Sequence, residues 1–368
     1  MSQKTLLHDL HVRLQARIVD FHGWLLPVQY EGIIAEHRCC RKAACLFDTS
    51  HMGQFLLTGP KAADDLAGLL TRDARKMRIG QCRLALLLNE QASILDDSIL
   101  LRLAPEEFML CVNAGPRHSD LEWISSRLSA DTVIVDQTEK WGKIDFQGPM
   151  TYSILAPHVE DDLSSLRFYT GFRTRCMGKP AIITRSGYTG ELGYEICASG
   201  DDLIQIAQTL LEHPDVKPAG LGARDLLRLE MGYNLSGQDI GEFVNPIEAD
   251  MERLMCDTHE FVGSAALDEI KRHGASRRLV ALTCDTRRKM STHDQILHKG
   301  EVVGEVTSGA YSPSIEASIG LGYVKRGLWD EGTILTVRTQ RADMDVTVAS
   351  KPMYKNGTCR TNIQEAVK

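Results

Sequence analysis

Apolar positions along this chain follow two periods, and the switches between them mark out its elements. Helical spacing predicts helices over 6–14 and 32–44, with an aromatic, turn-rich segment over 21–30 between them. A strand is predicted across 46–57, ending at Gly59-Pro60. An amphipathic helix over 61–70 then puts Leu66, Leu69 and Leu70 on one stripe. Strands over 83–89, 93–102 and 107–113 precede a helix over 118–128 with Leu121, Ile124 and Leu128 in register. That order predicts a split α/β sandwich. After Gln137 the pattern repeats more loosely, with strands over 141–146, 180–186 and 193–198 and a helix over 201–212. From about Arg277 short strands recur at regular intervals (278–284, 301–307, 318–324, 333–337 and 344–349), which predicts a small barrel or sandwich. The predicted class is α+β with an all-β C-terminal module.

A length of 368 residues suggests two or three domains. The chain is 43% hydrophobic and 25% charged, with a mean hydropathy of −0.19, as expected of a soluble globular protein. A net charge of −7 argues against a general nucleic-acid binder. No apolar run approaches the roughly 18 residues of a membrane span, and the first ten residues lack a targeting pattern, so a cytoplasmic location away from membranes is expected. None of the ten cysteines, Cys256 among them, forms a C-x-x-C pair, so free thiols are expected. Of the twelve histidines only His8 and His11 share a helix face, so no metal site is expected.

The most informative stretch is Ser93-Ile-Leu-Asp-Asp-Ser-Ile-Leu-Leu101, where two carboxylates stand inside an apolar strand. Alternation puts Asp96 with Ile94, Ser98 and Leu100, and Asp97 with Leu95, Ile99 and Leu101. Asp97 thus has only aliphatic neighbours on its face. An ionised carboxylate there is costly without a partner, and functional sites tolerate that cost. An edge strand with both aspartates in water is the competing explanation.

Two further segments can carry chemistry. Gly187-Tyr-Thr-Gly-Glu-Leu-Gly-Tyr-Glu195 packs three glycines, two tyrosines and two acids together. Its Tyr and Glu could offer a ring face and a two-pronged acceptor to a planar, amidine-edged ligand, although a plain hairpin explains the run equally well. Gly220-Leu-Gly-Ala-Arg-Asp225 opens a helix and places Arg224 in its first turn. A cation near a helix N-terminus hints that it answers an anion; otherwise it pairs with Asp225 or Glu230.

In order along nearly the whole chain, these segments resemble the glycine cleavage system T-protein family. The resemblance is carried by Val19-Asp-Phe-His-Gly-Trp24, Phe47-Asp-Thr-Ser-His-Met-Gly53, Asp96-Asp97, Val112-Asn-Ala114 and Phe146-Gln-Gly-Pro149. It continues with Ser186 to Glu195, Gly220 to Asp225, Arg228-Leu-Glu230, Asn245-Pro246, Phe261-Val-Gly263, Gly304-Glu-Val-Thr-Ser-Gly309 and Ser312-Pro313. It implies a three-domain folate-binding architecture: a discontinuous α+β domain over 1–50 and 141–270, a ferredoxin-like α/β domain over 51–140, and a barrel or jelly-roll-like domain over 271–368.

It also implies an activity. An aminomethyl group on the lipoyl arm of H-protein would give its one-carbon unit to tetrahydrofolate, as co-substrate and without a metal, with release of ammonia. Asp97 would be catalytic, as orienting group or base for the folate nitrogen. Asp96, Asn113, Tyr188, Glu195 and Arg224 would bind folate, Glu195 gripping the pterin's amino edge and Tyr188 walling its ring. Partners would be H-protein and folate, with the protein a monomer or weak dimer. The chain departs from the family pattern at Leu84 (usually tyrosine), Ala92-Ser93, Ser98, Leu192, Ser236 and Ser314 to Ala317. Two alternatives stand beside the main reading: a paralogous folate-dependent demethylase and a non-catalytic folate-binding protein. The iron–sulfur maturation factors of the superfamily carry a cysteine loop where this chain has Met231 to Asp239, with no cysteine.

Overall fold

The structure, a computed structural model, describes residues 2–255 and 259–366. One five-stranded antiparallel sheet runs in the order Cys82–Leu88, Ile94–Ala104, Glu107–Val112, Gly53–Thr58, Val133–Asp136. Strand alternation sends Phe55, Leu57, Leu100, Phe108 and Leu110 to one face, where helices Ala62–Leu69 and Arg117–Ser125 bury them with Leu66, Leu69 and Ile124. The other face carries Leu84, Asp97 and Ile99.

A second, six-stranded sheet runs Thr170–Cys176, Lys179–Arg185, Gly193–Ser199, Trp141–Gln147, Ala44–Asp48, Val216–Pro218. Strand Trp141–Gln147 shows period-2 sorting most sharply. Ile144 and Phe146 enter an apolar core with Tyr194, Ile196 and the Leu203, Ile206 and Leu210 stripe of helix Gly200–Leu211. Lys143, Asp145 and Gln147, also buried, point the opposite way. Helix Leu221–Glu230 starts at Gly220, where a Cβ would lie 2.5 Å from the Val28 carbonyl, so the bare backbone lets this helix sit against strand Trp24–Gln29.

From Arg277 onward six strands close into an antiparallel barrel in the order Arg277–Cys284, Ala317–Lys325, Glu301–Ser312, Gln295–His298, Ile334–Arg338, Asp343–Ala349. The class is therefore α+β with a C-terminal β-barrel. The single strand expected across 46–57 is two strands, Ala44–Asp48 and Gly53–Thr58, in different sheets. Asp48 Oδ1 accepts from Ser50 N at 2.9 Å, and the Thr49 and Ser50 hydroxyls bond Lys143 O, so local side-chain bonds divert the chain between them. The turn-rich segment over 21–30 contains strand Trp24–Gln29, paired with Arg17–Phe21. Strands Val133–Asp136, Thr170–Cys176 and Gln295–His298 and helix Ser264–His273 are additions to the sequence prediction. Cys256 lies outside the described residues; the other nine cysteines are free thiols.

Candidate active site

Both sheets contribute walls to a cavity of about 1250 Å³. On the five-stranded side Asp97 faces it between Leu84, Leu95 and Ile99. Strand Ile94–Ala104 is paired on both sides, so the edge-strand explanation does not hold. Asn113 fixes the carboxyl, donating from Nδ2 to Asp97 Oδ1 at 2.9 Å and to Asp97 O at 3.0 Å. Burial, with the negative charge of Asp96 adding to it, pushes the Asp97 carboxyl up to about 7. A group poised there can hold or release a proton at neutral pH.

Asp96, expected among the ligand-binding groups, lies behind the wall rather than in it. It is fully buried on the opposite side of the strand and accepts from Asn113 N (2.9 Å), Asn113 Nδ2 (2.7 Å) and Ser236 Oγ (2.9 Å). Its contact is therefore with the residue that positions Asp97.

The second wall comes from the hairpin joining Lys179–Arg185 to Gly193–Ser199. The glycine-rich run is thus a hairpin, and its wide loop also reaches the cavity through Gly187 and Tyr188. Gly190 takes φ +80°, and a Cβ there would meet Met231 Sδ at 2.2 Å. The Tyr188 hydroxyl donates to Asn234 O, and its ring stacks on Tyr233 with centroids 5.8 Å apart. Glu195 lines the cavity while Oε1 accepts from Lys143 Nζ at 2.5 Å and Oε2 from Ser186 Oγ at 2.6 Å.

Arg224 answers an anion, and that anion is Asp145: Nη1 to Oδ2 is 2.5 Å. Asp225 instead pairs with Arg228, and Glu230 with Arg41. Lys143 Nζ bridges Asp145 (2.9 Å) and Glu195, giving a buried cluster of two cations and two anions beneath the cavity. Burial alone would favour the Asp145 proton, but Lys143 and Arg224 hold that carboxyl well below the usual range. The Arg224 guanidinium also lies 4.9 Å from the centre of the Tyr188 ring.

The sequence reading missed Lys143, Asp145 and His51. Lys143 and Asp145 alternate with apolar residues, as Asp97 does, and that signal could have found them. Burial pushes the His51 imidazole down to about 4, so it is neutral, and its Nδ1 has no partner among the described residues. Of the departures from the family pattern, Leu84 and Ser236 line the cavity. Ser98 instead donates to Ala85 O, and Leu192 packs in the core of the six-stranded sheet. Among the described residues no three His, Cys, Asp or Glu side chains are grouped to hold a metal ion, and no helix is long and apolar enough to cross a membrane.

Comparison with known proteins places this geometry. The GCVT N-terminal domain family matches residues 7–258, and the glycine cleavage T-protein C-terminal barrel domain family matches residues 277–355. The aminomethyltransferase of Halothermothrix orenii is 36% identical over 339 residues, covering 91% of this chain and 95% of its own. That of Thermotoga maritima is 34% identical over 362 residues, covering 97% and 99%. The crystal structure of glycine cleavage system aminomethyltransferase T from Bartonella henselae superposes with a TM-score of 0.92 at 34% identity, covering 96% of this chain and 98% of that one. Two family matches along one chain, near-complete relatives and a shared three-dimensional structure make it a member of the glycine cleavage T-protein family of aminomethyltransferases.

Proposed function

We propose that this aminomethyltransferase moves the one-carbon unit of an aminomethyl-lipoyl H-protein to tetrahydrofolate, with Asp97 as its catalytic base. The observation that carries the reading is one cavity with two unlike walls. One wall presents a single carboxyl, poised near neutrality, among aliphatic side chains; the other presents Tyr188, Glu195 and Arg224. The volume of about 1250 Å³ leaves space for a drug-sized co-substrate together with the end of a lipoyl arm.

In this scheme Glu195, anchored by Lys143 and Ser186, uses its remaining acceptor capacity for the amino edge of the pterin. Tyr188, braced by Tyr233 and Asn234, walls the ring. Tetrahydrofolate supplies two nucleophilic nitrogens that the carbon comes to bridge as a methylene, as its bonds to the amine nitrogen and to the lipoyl sulfur break; Asp97 serves one nitrogen of the pair. Asp97, ionised above about 7 and oriented by Asn113, takes the proton that this nitrogen sheds as it bonds to the carbon. Of the two protons the nitrogens lose, one leaves on ammonia and the other on the thiol of the dihydrolipoyl carrier. Leu84 offers an aliphatic surface where a ring would stack, which weakens the folate contact by roughly 1 kcal/mol.

The same proposal divides the chain into a discontinuous unit over 1–50 and 141–270, a unit over 51–140, and a barrel unit over 271–368. Sheet membership supports it: Ile144 pairs with Asp48 in one sheet, while the intervening strands from Gly53 to Asp136 build the other. The test is a coupled assay with tetrahydrofolate and aminomethylated, lipoylated H-protein, following 5,10-methylenetetrahydrofolate. Carrier-dependent product is expected; tetrahydrofolate binding without product would overturn the donor assignment.

A further inference from the structure

Behind the catalytic carboxyl lies a third aspartate that no cation answers among the described residues. Asp120 sits on helix Arg117–Ser125, 2% exposed, and its Oδ2 has no donor among the described residues. The nearest guanidinium on its helix, Arg117, turns to Asp136 at 2.6 Å. The Ser119 hydroxyl is used on Pro116 O. What Asp120 does meet is the Asp96 carboxyl, within hydrogen-bonding reach. Two carboxyl groups make that bond only if one carries the proton.

Asn113 shows why the bond matters. Its Nδ2 has two hydrogens but faces three oxygens: Asp96 Oδ1 at 2.7 Å, Asp97 Oδ1 at 2.9 Å and Asp97 O at 3.0 Å. Asp96 and Asp97 therefore compete for one amide. Any further donor to Asp96 frees Asn113 to hold Asp97.

We propose that Asp120 is a positioning residue of this site, a neutral carboxylic acid whose O–H is donated to Asp96 so that Asn113 can orient Asp97. The proposal rests on the reading of Asp97 as the base. Burial, with Asp96 and Asp97 adding to it, pushes the Asp120 carboxyl up to about 9. The titratable groups facing this cluster are Asp96 and Asp97 on the strand, Cys111 on the neighbouring strand towards Asp96 and, towards Asp97, Tyr169 and Tyr188; the thiol and both phenols are raised by burial and neutral. Asn113 and Ser236 complete it without charge. As pH rises through about 7, Asp97 gains its charge and turnover rises. As pH rises through about 9, Asp120 loses its proton, Asp96 loses a donor, and turnover falls.

The test compares Asp120→Asn, which keeps a donor that cannot titrate, with Asp120→Ala, which removes it. Alanine should lower kcat about tenfold while leaving KM for tetrahydrofolate within about twofold. Asparagine should restore most of that loss and abolish the alkaline limb near 9, leaving the acid limb near 7. An alkaline limb that persists in Asp120→Asn, or an alanine variant with wild-type kcat, would overturn the proposal.

Two readouts need no turnover. Infrared spectra of the unliganded protein at pH 8 should show a carboxylic-acid C=O band that Asp120→Asn removes and Asp97→Asn leaves. In protein labelled with 13C at aspartate carboxyls, the Asp97 midpoint should move upward in Asp120→Ala. A missing band in the wild type, or an unmoved midpoint, refutes the assignment. Correct spectra from a protein without aminomethyl transfer would instead fault the functional reading alone.

Discussion

At Asp97 the requirements of folding and of chemistry oppose each other. Its carboxyl is held up to about 7 because its surroundings resist the charge that the proposed base must carry. Replacing it by Asn should lower turnover by about 10²–10⁴-fold while tetrahydrofolate affinity stays within a few-fold, as kinetics and calorimetry would report. The same change should stabilise the protein. The folded-state value lies above the unfolded one of about 3.9, so folding takes up a proton between those limits and wild-type stability falls as pH rises through them. Asp97→Asn should therefore raise the melting temperature at pH 8, by an amount equivalent to at most about 4 kcal/mol, and by little at pH 4. Glu195→Ala should weaken tetrahydrofolate binding about tenfold or more, and unchanged affinity would remove Glu195 from the pterin site. Asp97 was legible in the sequence because strand alternation is a local rule: two positions in either direction show its aliphatic company. The place of Asp96 behind the wall follows from the same rule, which puts it with Ser98 and Leu100; at Ile94 the rule fails, because a register shift between Leu87 and Leu88 takes that side chain into another core. Asp120 was not legible, since its partner stands on another element and helix periodicity says nothing of what a side chain faces.

Strands with a long apolar alternation carry the clearest sequence signal, and short or charge-bearing ones the weakest. Ile94–Ala104 and Trp141–Gln147 have neighbours on both sides, and their apolar alternation predicts them closely. Thr170–Cys176 is an edge strand whose Arg173 and Arg175 face solvent, so its pattern resembles a loop. The two strands over 44–58 merged in the sequence reading because the polar link Thr49–Met52 is short and nearly as buried as the strands around it. Strand Trp141–Gln147 also explains a cost of the site. Lys143 is buried between Asp145 and Glu195, which keep its ammonium protonated despite burial. Lys143→Met should destabilise the protein by about 3–5 kcal/mol in urea titrations, because two buried carboxylates lose their shared cation. Wild-type stability in that variant would mean that water compensates the cluster.

Across the whole molecule, helix Leu221–Glu230 joins the Tyr188 and Glu195 wall of the cavity to the barrel. Arg228 is fully buried, with Nη1 on Asp239 Oδ2 at 2.5 Å and Nη2 on Ser308 Oγ of the barrel at 2.8 Å. Glu230 accepts from the barrel's Ser312 and from Arg41 at 2.5 Å. These bonds tie the cavity's floor to the C-terminal unit. Arg228→Leu should leave Asp239 without its cation, held only by Leu235 N and the Thr307 and Ser308 hydroxyls, loosen that attachment and split the cooperative unfolding into two transitions, visible as earlier proteolysis of the barrel. The sequence by itself determined the class, the barrel, the carboxyl that faces the cavity and the family, because these rest on short-range periodicity and on the order of motifs along the chain. Only the tertiary structure decided which charges meet. Arg224 bonds Asp145 across 79 residues and Lys143 bonds Glu195 across 52. Such pairings depend on which strands come to lie side by side in the six-stranded sheet and on where helix Leu221–Glu230 packs against it, and a buried charge accepts whichever partner that placement brings within about 3 Å.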